Sequence, residues 1–357
     1  MYKTCSKSMN QPIKGRGAAQ NPKSRFLEME LEYDRDEQTG QLNRPKTTLL
    51  KDHTSKIIST NNSPDIGFDV SVNPYRGCEH GCVYCYARPT HEFLGMSAGL
   101  DFESKIVVKY DAPELLRKTL AGKNWKPQTL VMSGVTDPYQ PIEKKLQITR
   151  RCIEVLAECY HPLVIITKNY MVTRDIDLLS RLAEKGAAKV VLSITSLDKS
   201  ITDTMEPRTS RPKKRLQAVR ELTEAGIPVH VNIAPLIPGL TDDEIVPIME
   251  ASAEAGAVSV SCNIVRLPYG VKDLFIKWLE DHHPNRKEKV INKIKSLRDG
   301  KLNRSEFGER FRGKGPYADQ IRQLTEIHSK RLGLNQEKTP LSIEHFKRPQ
   351  TDQLNLF

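Results

Sequence analysis

The stretch Arg76–Ala87 reads RGCEHGCVYCYA and decides the class of this chain. It places Cys78, Cys82 and Cys85 in a C-x3-C-x2-C pattern, with the aromatic Tyr84 directly before the last cysteine. Three thiolates on one short loop can bind three irons of a cubane [4Fe-4S] cluster, a group that normally takes four cysteines. The fourth iron then keeps an open coordination position, as catalytic metal sites do. The pattern therefore predicts an enzyme rather than a structural metal module.

Structural zinc is the main alternative for these cysteines. A structural zinc site needs four ligands, and His80 or His91 is near enough in the sequence to supply the fourth. Redox-active thiols fit less well, because a dithiol needs only two cysteines. The 7 cysteines of the chain are an odd number with three of them clustered, which does not indicate a disulfide framework.

Beyond residue 68, short apolar runs alternate with stretches of helical periodicity. The helical stretches end near glycines, which are common helix stops. Alternating strands and helices predict an α/β fold with a parallel sheet. The predicted strands are Phe68–Val72, Thr129–Ser133, Leu163–Lys168, Lys189–Thr195, Pro228–Ala234 and Val258–Val265.

The later strands are polar on one face. His230 and Asn232 alternate with apolar residues in one strand, and Ser259, Ser261 and Asn263 do so in the next. A parallel sheet with helices on both faces reads as apolar throughout, so a polar face indicates a barrel with a polar interior. We therefore expect a partial (β/α)6 TIM-like barrel, with a flexible basic N-terminal extension and a helical C-terminal extension.

Composition divides the chain into four regions. Residues 1–60 are polar and predict a largely flexible segment, in which the alternating residues 25–33 can pair as an edge strand or drape over the barrel. Residues 61–272 contain the barrel. Residues 273–335 predict a basic helical extension, with a glycine-rich connector inside it, and residues 336–357 predict a flexible tail.

The formal net charge of +11 comes from the two ends of the chain. Residues 61–271 carry 25 Lys and Arg against 25 Asp and Glu, whereas residues 1–60 carry 11 against 7 and residues 272–357 carry 19 against 12. Such basic arms are either solvated tails or an electrostatic surface for DNA or RNA. We expect a cytoplasmic protein without a membrane partner, since the cysteine usage fits a reducing compartment and no apolar run is long enough to span a bilayer.

The cysteine pattern and the βα repeat together resemble the radical S-adenosylmethionine (SAM) superfamily, over roughly residues 68–270. This resemblance implies two cofactors: a [4Fe-4S] cluster on Cys78, Cys82 and Cys85, and SAM bound to the open iron. One electron, from a donor such as flavodoxin or ferredoxin, cleaves the sulfonium C–S bond. The resulting 5′-deoxyadenosyl radical abstracts hydrogen from a substrate, while the protein positions the groups and excludes side reactions.

The resemblance also implies where SAM is held, because barrel enzymes place their sites at the C-terminal ends of strands. Ser133, Thr136 and Asp137 follow the second strand, at the position of the family's Gly-Gly-Glu-like segment, and are candidate acceptors for the SAM amino group. They depart from Gly-Gly-Glu, so only the position carries over, and an ordinary Asp-Pro turn is the alternative. At later strand ends, Lys168 is a candidate for the SAM carboxylate and Ser193 for its ribose or carboxylate. Arg208 is a candidate for bidentate binding of a carboxylate or a phosphate.

Within the superfamily the chain is most similar to the group that contains spore photoproduct lyase, a DNA repair enzyme. The shared elements are Cys-x-Tyr-Cys-Tyr at 82–86, Thr-Lys at 167–168, Ser-Ile at 193–194 and Glu-Pro-x-Thr at 206–209. The resemblance implies that Tyr84 and Tyr86 belong to a radical relay. The lyase also needs a hydrogen-donor cysteine after its second strand, and residues 129–137 contain none. Repair of the thymine photoproduct itself is therefore not expected.

Two hypotheses of different classes follow. The first is a radical SAM enzyme, a lyase or modifying enzyme acting on nucleic acid, or else on a protein, peptide or small metabolite. The second is a zinc-containing nucleic-acid-binding module without catalysis. The iron, sulfide and zinc contents of anaerobically purified protein distinguish the two.

Overall fold

The computed structural model describes residues 12–26, 45–336 and 340–350. The strands are β1 Thr48–Lys51, β2 Ile58–Thr60, β3 Val70–Val72, β4 Tyr75–Arg76, β5 Lys105–Val108, β6 Leu130–Met132, β7 Leu163–Thr167, β8 Ala188–Ser193, β9 Val229–Leu236 and β10 Ser259–Ile264. The α-helices are α1 Leu100–Ser104, α2 Ala112–Ala121, α3 Glu143–Leu146, α4 Ile148–Glu158, α5 Ile176–Ala183, α6 Lys199–Met205, α7 Pro212–Glu224, α8 Ile245–Glu254, α9 Val271–His282, α10 Lys287–Ser296 and α11 Pro316–Arg331. Short 3-10 turns span Arg88–Leu94, Tyr170–Asp175, Asp242–Glu244 and Pro284–Arg286.

The main sheet has the strand order β10-β9-β8-β7-β6-β3-β2. Strands β3, β6, β7, β8, β9 and β10 run parallel to their neighbours, and β2 adds an antiparallel edge. All six predicted strands are found in this sheet, each within about two residues of its predicted ends. Because the strand order is open, with β10 and β2 at its edges, the sheet is the predicted partial barrel.

The helices bury apolar stripes against this sheet. In α5, Leu178, Leu179 and Leu182 are buried, and the chain leaves the helix through Gly186 with φ of +62°. A positive φ is easiest for glycine, which explains why the glycine stop signal predicted the end of this helix correctly. Among the described residues, no helix is both long and apolar enough to cross a membrane.

The polar strand faces meet inside the barrel. The two ring nitrogens of His230 lie 2.8 Å from Ser259 Oγ and 2.7 Å from Ser261 Oγ. Asn232 Oδ1 accepts hydrogen bonds from Ser261 Oγ at 3.2 Å and from Asn263 Nδ2 at 3.0 Å. Polar groups on β9 and β10 thus satisfy one another across the strands, which removes much of the cost of burying them. The predicted polar interior is confirmed.

The C-terminal extension crosses the gap between the two sheet edges. The backbone N–H of Ile264, on β10, donates to the carbonyl of Phe311 at 2.9 Å. On the other side of the gap, Asp65 accepts from the Gly308 N–H at 2.7 Å and forms an ion pair of 2.7 Å with Arg310. Residues 308–316, predicted as a flexible connector, therefore make specific bonds to both edges. The glycines that indicated flexibility here permit positive φ angles, for example +83° at Gly308.

The described parts of residues 1–60 differ from the expected flexible segment. The backbone N–H groups of Gly17 and Ala18 donate to the Glu103 carboxylate at 3.1 and 2.8 Å, and Arg16 donates to the Glu103 carbonyl at 2.7 Å. Strand β1 pairs with β5 in a second, three-stranded sheet of order β1-β5-β4, which the sequence analysis did not predict. The polar composition predicts a solvated, flexible segment, but here the buried Glu103 carboxylate holds the backbone N–H groups in place. The predicted edge strand at 25–33 lies almost entirely outside the described residues.

The described part of residues 336–357 also packs against the barrel. The ring centroid of Phe346 lies 5.4 Å from that of His161, and the Lys347 N–H donates to the Cys159 carbonyl at 2.9 Å. This stretch therefore covers the end of α4, although a flexible tail was expected. Phe346 was the sequence signal for this packing, because an aromatic residue in a polar stretch tends to be buried; the average composition of the stretch hides it.

Candidate active site

The cysteine loop follows β4 and needs glycine at two places. Gly77 and Gly81 have φ angles of +80° and +69°. A Cβ on Gly81 would lie 2.7 Å from the Glu103 carboxylate, and one on Gly77 would lie 2.8 Å from the His91 ring. These glycines allow Cys78, Cys82 and their neighbours to curve around one point while a second layer packs directly behind them.

That second layer is centred on Arg88, which is fully buried. Its guanidinium donates to the carbonyl of Cys82 at 2.9 Å and that of Gly81 at 3.1 Å, and it pairs with the Glu103 carboxylate. The same carboxylate holds the N-terminal segment, as described above. Arg88 and Glu103 therefore fasten the loop from outside the cavity. Sequence reasoning missed both, since neither has a motif.

All three loop cysteines open on one cavity of about 250 Å³ at the C-terminal ends of the barrel strands. Burial raises the pKa of Cys78, Cys82 and Cys85, with Asp137 adding to the rise at Cys78 and Glu206 at Cys82. Thiols in such a place ionise when a bound cation compensates the charge. Three thiols on one cavity wall, each able to take a different metal atom, fit three corners of a [4Fe-4S] cluster.

The two histidines considered as a fourth zinc ligand are both held by other groups. The His80 ring is held by Asp137, at 3.3 Å, and by Asn169, at 3.1 Å. His91 Nε2 lies 2.9 Å from the Lys105 carbonyl, and its ring packs edge-on against Phe102, away from the cavity wall. Within the part of the chain that is described, no three His, Cys, Asp or Glu side chains converge on a point that could hold a single metal ion.

Most of the predicted cofactor contacts share the cavity with the cysteines. Residues Ser133, Thr136, Asp137, Lys168 and Ser193 line it, together with Tyr84 and Tyr86. Arg208 does not line it, because its guanidinium binds Glu79 at 3.0 Å on the outer side of the cysteine loop. Its backbone N–H also donates to the His80 carbonyl at 3.3 Å. In this structure Arg208 braces the loop rather than facing the cavity.

Asp137 is already occupied by protein donors. One oxygen accepts from Thr167 Oγ1 at 2.7 Å, and the other accepts from the Lys168 N–H at 2.8 Å. Burial alone would raise the pKa of Asp137, but His80 and these hydrogen bonds lower it below its ordinary value. Asp137 therefore remains ionised and ties the second strand end to the third. Thr136 is likewise engaged, since its hydroxyl donates to the Gly77 carbonyl at 2.6 Å.

Lys168 and Tyr84 meet at a buried carboxylate that the sequence analysis did not single out. Glu206 accepts from Tyr84 Oη and from Thr195 Oγ1, the latter at 2.6 Å, and Lys168 Nζ lies 3.2 Å from it. Arg215 forms a buried ion pair with its other oxygen. Burial raises the pKa of Glu206, but Arg215 and Lys168 hold it well below its ordinary value. The Glu-Pro-x-Thr motif contained this residue, and its role emerges only from the fold.

Tyr86 differs from Tyr84 in its exposure. The Tyr86 side chain remains 51% exposed at the mouth of the cavity, and its hydroxyl donates to the Gly134 carbonyl at 2.9 Å. Tyr84 is 6% exposed, and burial, Cys82 and Glu206 raise its pKa. Both tyrosines line the cavity, and Tyr86 is the one whose side chain is also exposed at its mouth.

The far wall of the cavity contains residues that the sequence analysis did not assign. Asn232 and Asn263 come from the polar faces of β9 and β10, Arg266 follows β10, and Phe311 comes from the C-terminal connector. The alternation of polar and apolar residues in the two strands indicated only the two asparagines. Arg266 and Phe311 are brought there by the closure of the barrel gap.

Residues 72–251 match the model of the radical SAM superfamily. The chain belongs to this superfamily. An uncharacterised protein of Mycobacterium tuberculosis (strain ATCC 25618 / H37Rv) is 34% identical over 232 residues, covering 64% of this chain and 68% of that protein. An uncharacterised protein of Methanocaldococcus jannaschii is 32% identical over 200 residues, covering 56% and 71%. The radical SAM Nα-GlyT isomerase of Pseudomonas phage M6 is 26% identical over 213 residues, covering 59% and 42%.

Among solved structures, the radical SAM chain is similar to spore photoproduct lyase. The lyase complexed with dinucleoside spore photoproduct matches with a TM-score of 0.56 and 18% identity, covering 80% of each chain. At this identity the likeness shows the fold alone. It confirms the partial barrel, and superfamily membership identifies an enzyme that uses SAM and a [4Fe-4S] cluster.

Proposed function

We propose that this protein binds a [4Fe-4S] cluster through Cys78, Cys82 and Cys85 and uses it to cleave SAM reductively at the mouth of the barrel. The observation that carries the proposal is the opening of three thiols of one loop onto one cavity at the C-terminal ends of the barrel strands. When bound, the cluster and SAM supply one-electron chemistry and a 5′-deoxyadenosyl radical. The electron comes from a reductant such as flavodoxin or ferredoxin.

The protein's own residues position SAM in this proposal. Ser133 and the carbonyl groups near Gly134 supply acceptors for the SAM ammonium. Ser193 and Asn232 supply polar groups on the opposite side of the cavity for the carboxylate or ribose. Lys168 acts through charge rather than direct contact, since its ammonium donates to the Ala234 carbonyl at 2.7 Å and pairs with Glu206. Thr136 and Asp137 hold the loop in shape.

We propose nucleic acid, DNA or RNA, as the substrate class, in repair or modification. The basic flanks outside a neutral barrel support an electrostatic attraction to phosphates. The fold is shared with a lyase solved in complex with a dinucleoside photoproduct. Cleavage at the thymine photoproduct is not part of the proposal, because residues 129–137 contain no donor cysteine. Tyr84 and Tyr86 are the proposed radical-relay residues. We place the reaction in the cytoplasm, where thiols and clusters stay reduced.

The test begins with anaerobic reconstitution and chemical analysis. We expect about four irons and four sulfides per chain, and 5′-deoxyadenosine plus methionine after addition of dithionite and SAM. Cys82→Ala abolishes both products, since the cluster loses a ligand. Cys262→Ala is the matched control, because this half-buried cysteine lies on β10 outside the cavity. Zinc without iron in the wild type, or iron without SAM cleavage, would contradict the proposal.

A further inference from the structure

Arg266 is a cation in the wall of the cavity. It follows β10 and lines the cavity beside Tyr86 and Phe311. Its Nε is buried and has no hydrogen-bond partner among the residues described. Lys168, the other cation of the wall, is instead paired with Glu206. A buried N–H without an acceptor is costly, so this unsatisfied Nε on a half-buried side chain in a ligand cavity points to a ligand that completes it.

Neighbouring arginines add to the positive charge at this place. Arg298 is only 2% exposed, and its Nε and Nη1 also lack partners in the described part of the chain. Burial lowers the pKa of Arg266, and the charge of Arg310 lowers it further. Arg310 is neutralised by its ion pair of 2.7 Å with Asp65. Arg298 donates through Nη2 to the carbonyls of Val265 and Arg310 and does not line the cavity, so Arg266 is the guanidinium that an anion in the cavity can reach.

Aromatic rings lie between these cations. The Arg266 guanidinium is 5.0 Å from the ring centroid of Phe311 and 5.8 Å from that of Tyr86. Arg310 lies 4.9 Å from the ring centroid of Phe307, which is 60% exposed. Exposed rings interleaved with guanidinium groups are typical of surfaces that bind single-stranded nucleic acid, where bases stack and phosphates pair with cations.

The position of Arg266 is fixed by the closure of the barrel gap. The Phe311 carbonyl accepts a hydrogen bond from the N–H of Ile264, two residues before Arg266. This bond holds the Phe311 ring next to the Arg266 guanidinium. Residues 301–314, which lead into and overlap the connector, carry five Lys and Arg residues against two Glu. The surface leading to the cavity from this side is therefore basic as well.

We propose that Arg266, oriented by Phe311, binds a phosphate of a single-stranded nucleic-acid substrate at the mouth of the cavity. This inference rests on the proposed function and specifies its substrate contact. The planar guanidinium suits two parallel hydrogen bonds to phosphate oxygens. The base next to that phosphate stacks on the exposed face of Tyr86 and so enters the cavity beside the cysteine loop. The SAM carboxylate shares the same anionic chemistry, and the experiment separates the two.

The probe is a fluorescein-labelled, mixed-sequence, single-stranded DNA dodecamer, with an RNA dodecamer as a second arm. Binding to the reconstituted holoenzyme in the presence of SAM is followed by anisotropy. We expect Arg266→Gln to weaken binding at least about tenfold, the loss typical of a charge-assisted hydrogen bond. Arg322→Gln removes the same charge from an exposed site on α11 and is the matched control, with binding close to that of the wild type. Arg266→Lys, which keeps the charge without the fork, recovers part of the affinity.

Two further measurements decide between outcomes. A dodecamer with neutral methylphosphonate linkages binds the wild type more weakly, and Arg266→Gln shows little difference between the charged and neutral strands. The affinity of the holoenzyme for SAM without nucleic acid is measured by equilibrium dialysis for the wild type and for Arg266→Gln, and we expect a smaller loss for SAM than for the charged strand. A loss of SAM affinity as large as the loss of strand affinity would instead assign Arg266 to the SAM carboxylate and overturn the subsite. Wild-type binding unaffected by Arg266→Gln would overturn the subsite alone, whereas no binding of either strand by the wild type would overturn the nucleic-acid substrate with it.

Discussion

The phenol of Tyr84 donates a hydrogen bond to the carboxylate of Glu206, directly behind the cysteine loop. The two residues are 122 positions apart in the chain, and both are almost completely buried. Glu206 also binds Lys168, Thr195 and Arg215, so one carboxylate connects the cysteine loop to the ends of the third and fourth barrel strands and to α7. The relationship gives the site a rigid back wall and makes Glu206 a positioning residue for it.

Glu206→Gln is expected to destabilise the fold strongly. The substitution leaves the buried Arg215 without its anion, and removing one partner of a buried ion pair typically costs about 3–5 kcal/mol. Urea unfolding of the apoprotein measures this change. Glu224→Gln, at the exposed end of α7, is the control and should change the free energy of unfolding by less than about 0.5 kcal/mol. Equal effects of the two substitutions would contradict the assigned role of Glu206.

Acidification is expected to weaken the fold through His230. Burial, with a smaller contribution from Lys189, lowers the pKa of His230 to about 4, whereas a histidine in an unfolded chain titrates near about 6.5. The unfolded chain therefore binds the proton first, so the stabilisation is complete above about pH 6.5 and is lost as the pH falls toward 4. His161, with a pKa also lowered to about 4 by burial, contributes in the same direction.

The test of this pH dependence is urea unfolding at several pH values between 7 and 5. His230→Asn should make the free energy of unfolding fall less steeply with acidification than it does in the wild type. His345→Asn, at an exposed position, should leave the slope as it is. An unchanged slope in His230→Asn would show that burial does not keep this ring neutral in the folded protein.

Gly17→Ala is expected to detach the N-terminal segment from the cysteine loop. A Cβ at Gly17 would lie 1.7 Å from the Gly81 carbonyl oxygen, so the segment must move away. The Glu103 carboxylate then loses two backbone donors, and the loop loses part of its outer support. We expect a lower iron content after reconstitution and faster bleaching of the cluster absorbance in air. Gly67→Ala, where the added Cβ meets nothing within 4 Å, should behave like the wild type.

The two tyrosines of the loop are expected to respond differently to loss of their hydroxyl groups. We expect Tyr86→Phe to keep the fold. If the exposed phenol passes a hydrogen atom to or from the substrate, the substitution lowers nucleic-acid-dependent turnover. Tyr84→Phe removes a donor from buried Glu206 and is expected to cost about 1 kcal/mol of stability. Full nucleic-acid-dependent turnover by Tyr86→Phe would remove Tyr86 from the relay.

The cluster loop and the barrel could be predicted from the sequence because their signals are local. A thiolate pattern within eight residues needs no long-range information, and the period of strands and helices repeats along the chain. The strand ends at Ser133, Lys168 and Ser193 followed from this repeat. The sequence did not predict which candidate side chains are free to bind a ligand, since Lys168 pairs with Glu206 and Arg208 pairs with Glu79.

What only the tertiary structure decided depends on contacts between distant segments. Glu103 is 86 residues from Gly17, and Asp65 is 243 residues from Gly308, so no local pattern links them. Polar composition predicted flexible ends, yet the buried Glu103 carboxylate orders the described part of the N-terminal end. Contacts of Phe346 and Lys347 order the described part of the C-terminal end. The sequence by itself determined that three thiols share one loop of an α/β barrel. The fold decided which charged side chains support that loop. It also decided that Arg266 lines the cavity with a buried Nε that has no hydrogen-bond partner among the described residues.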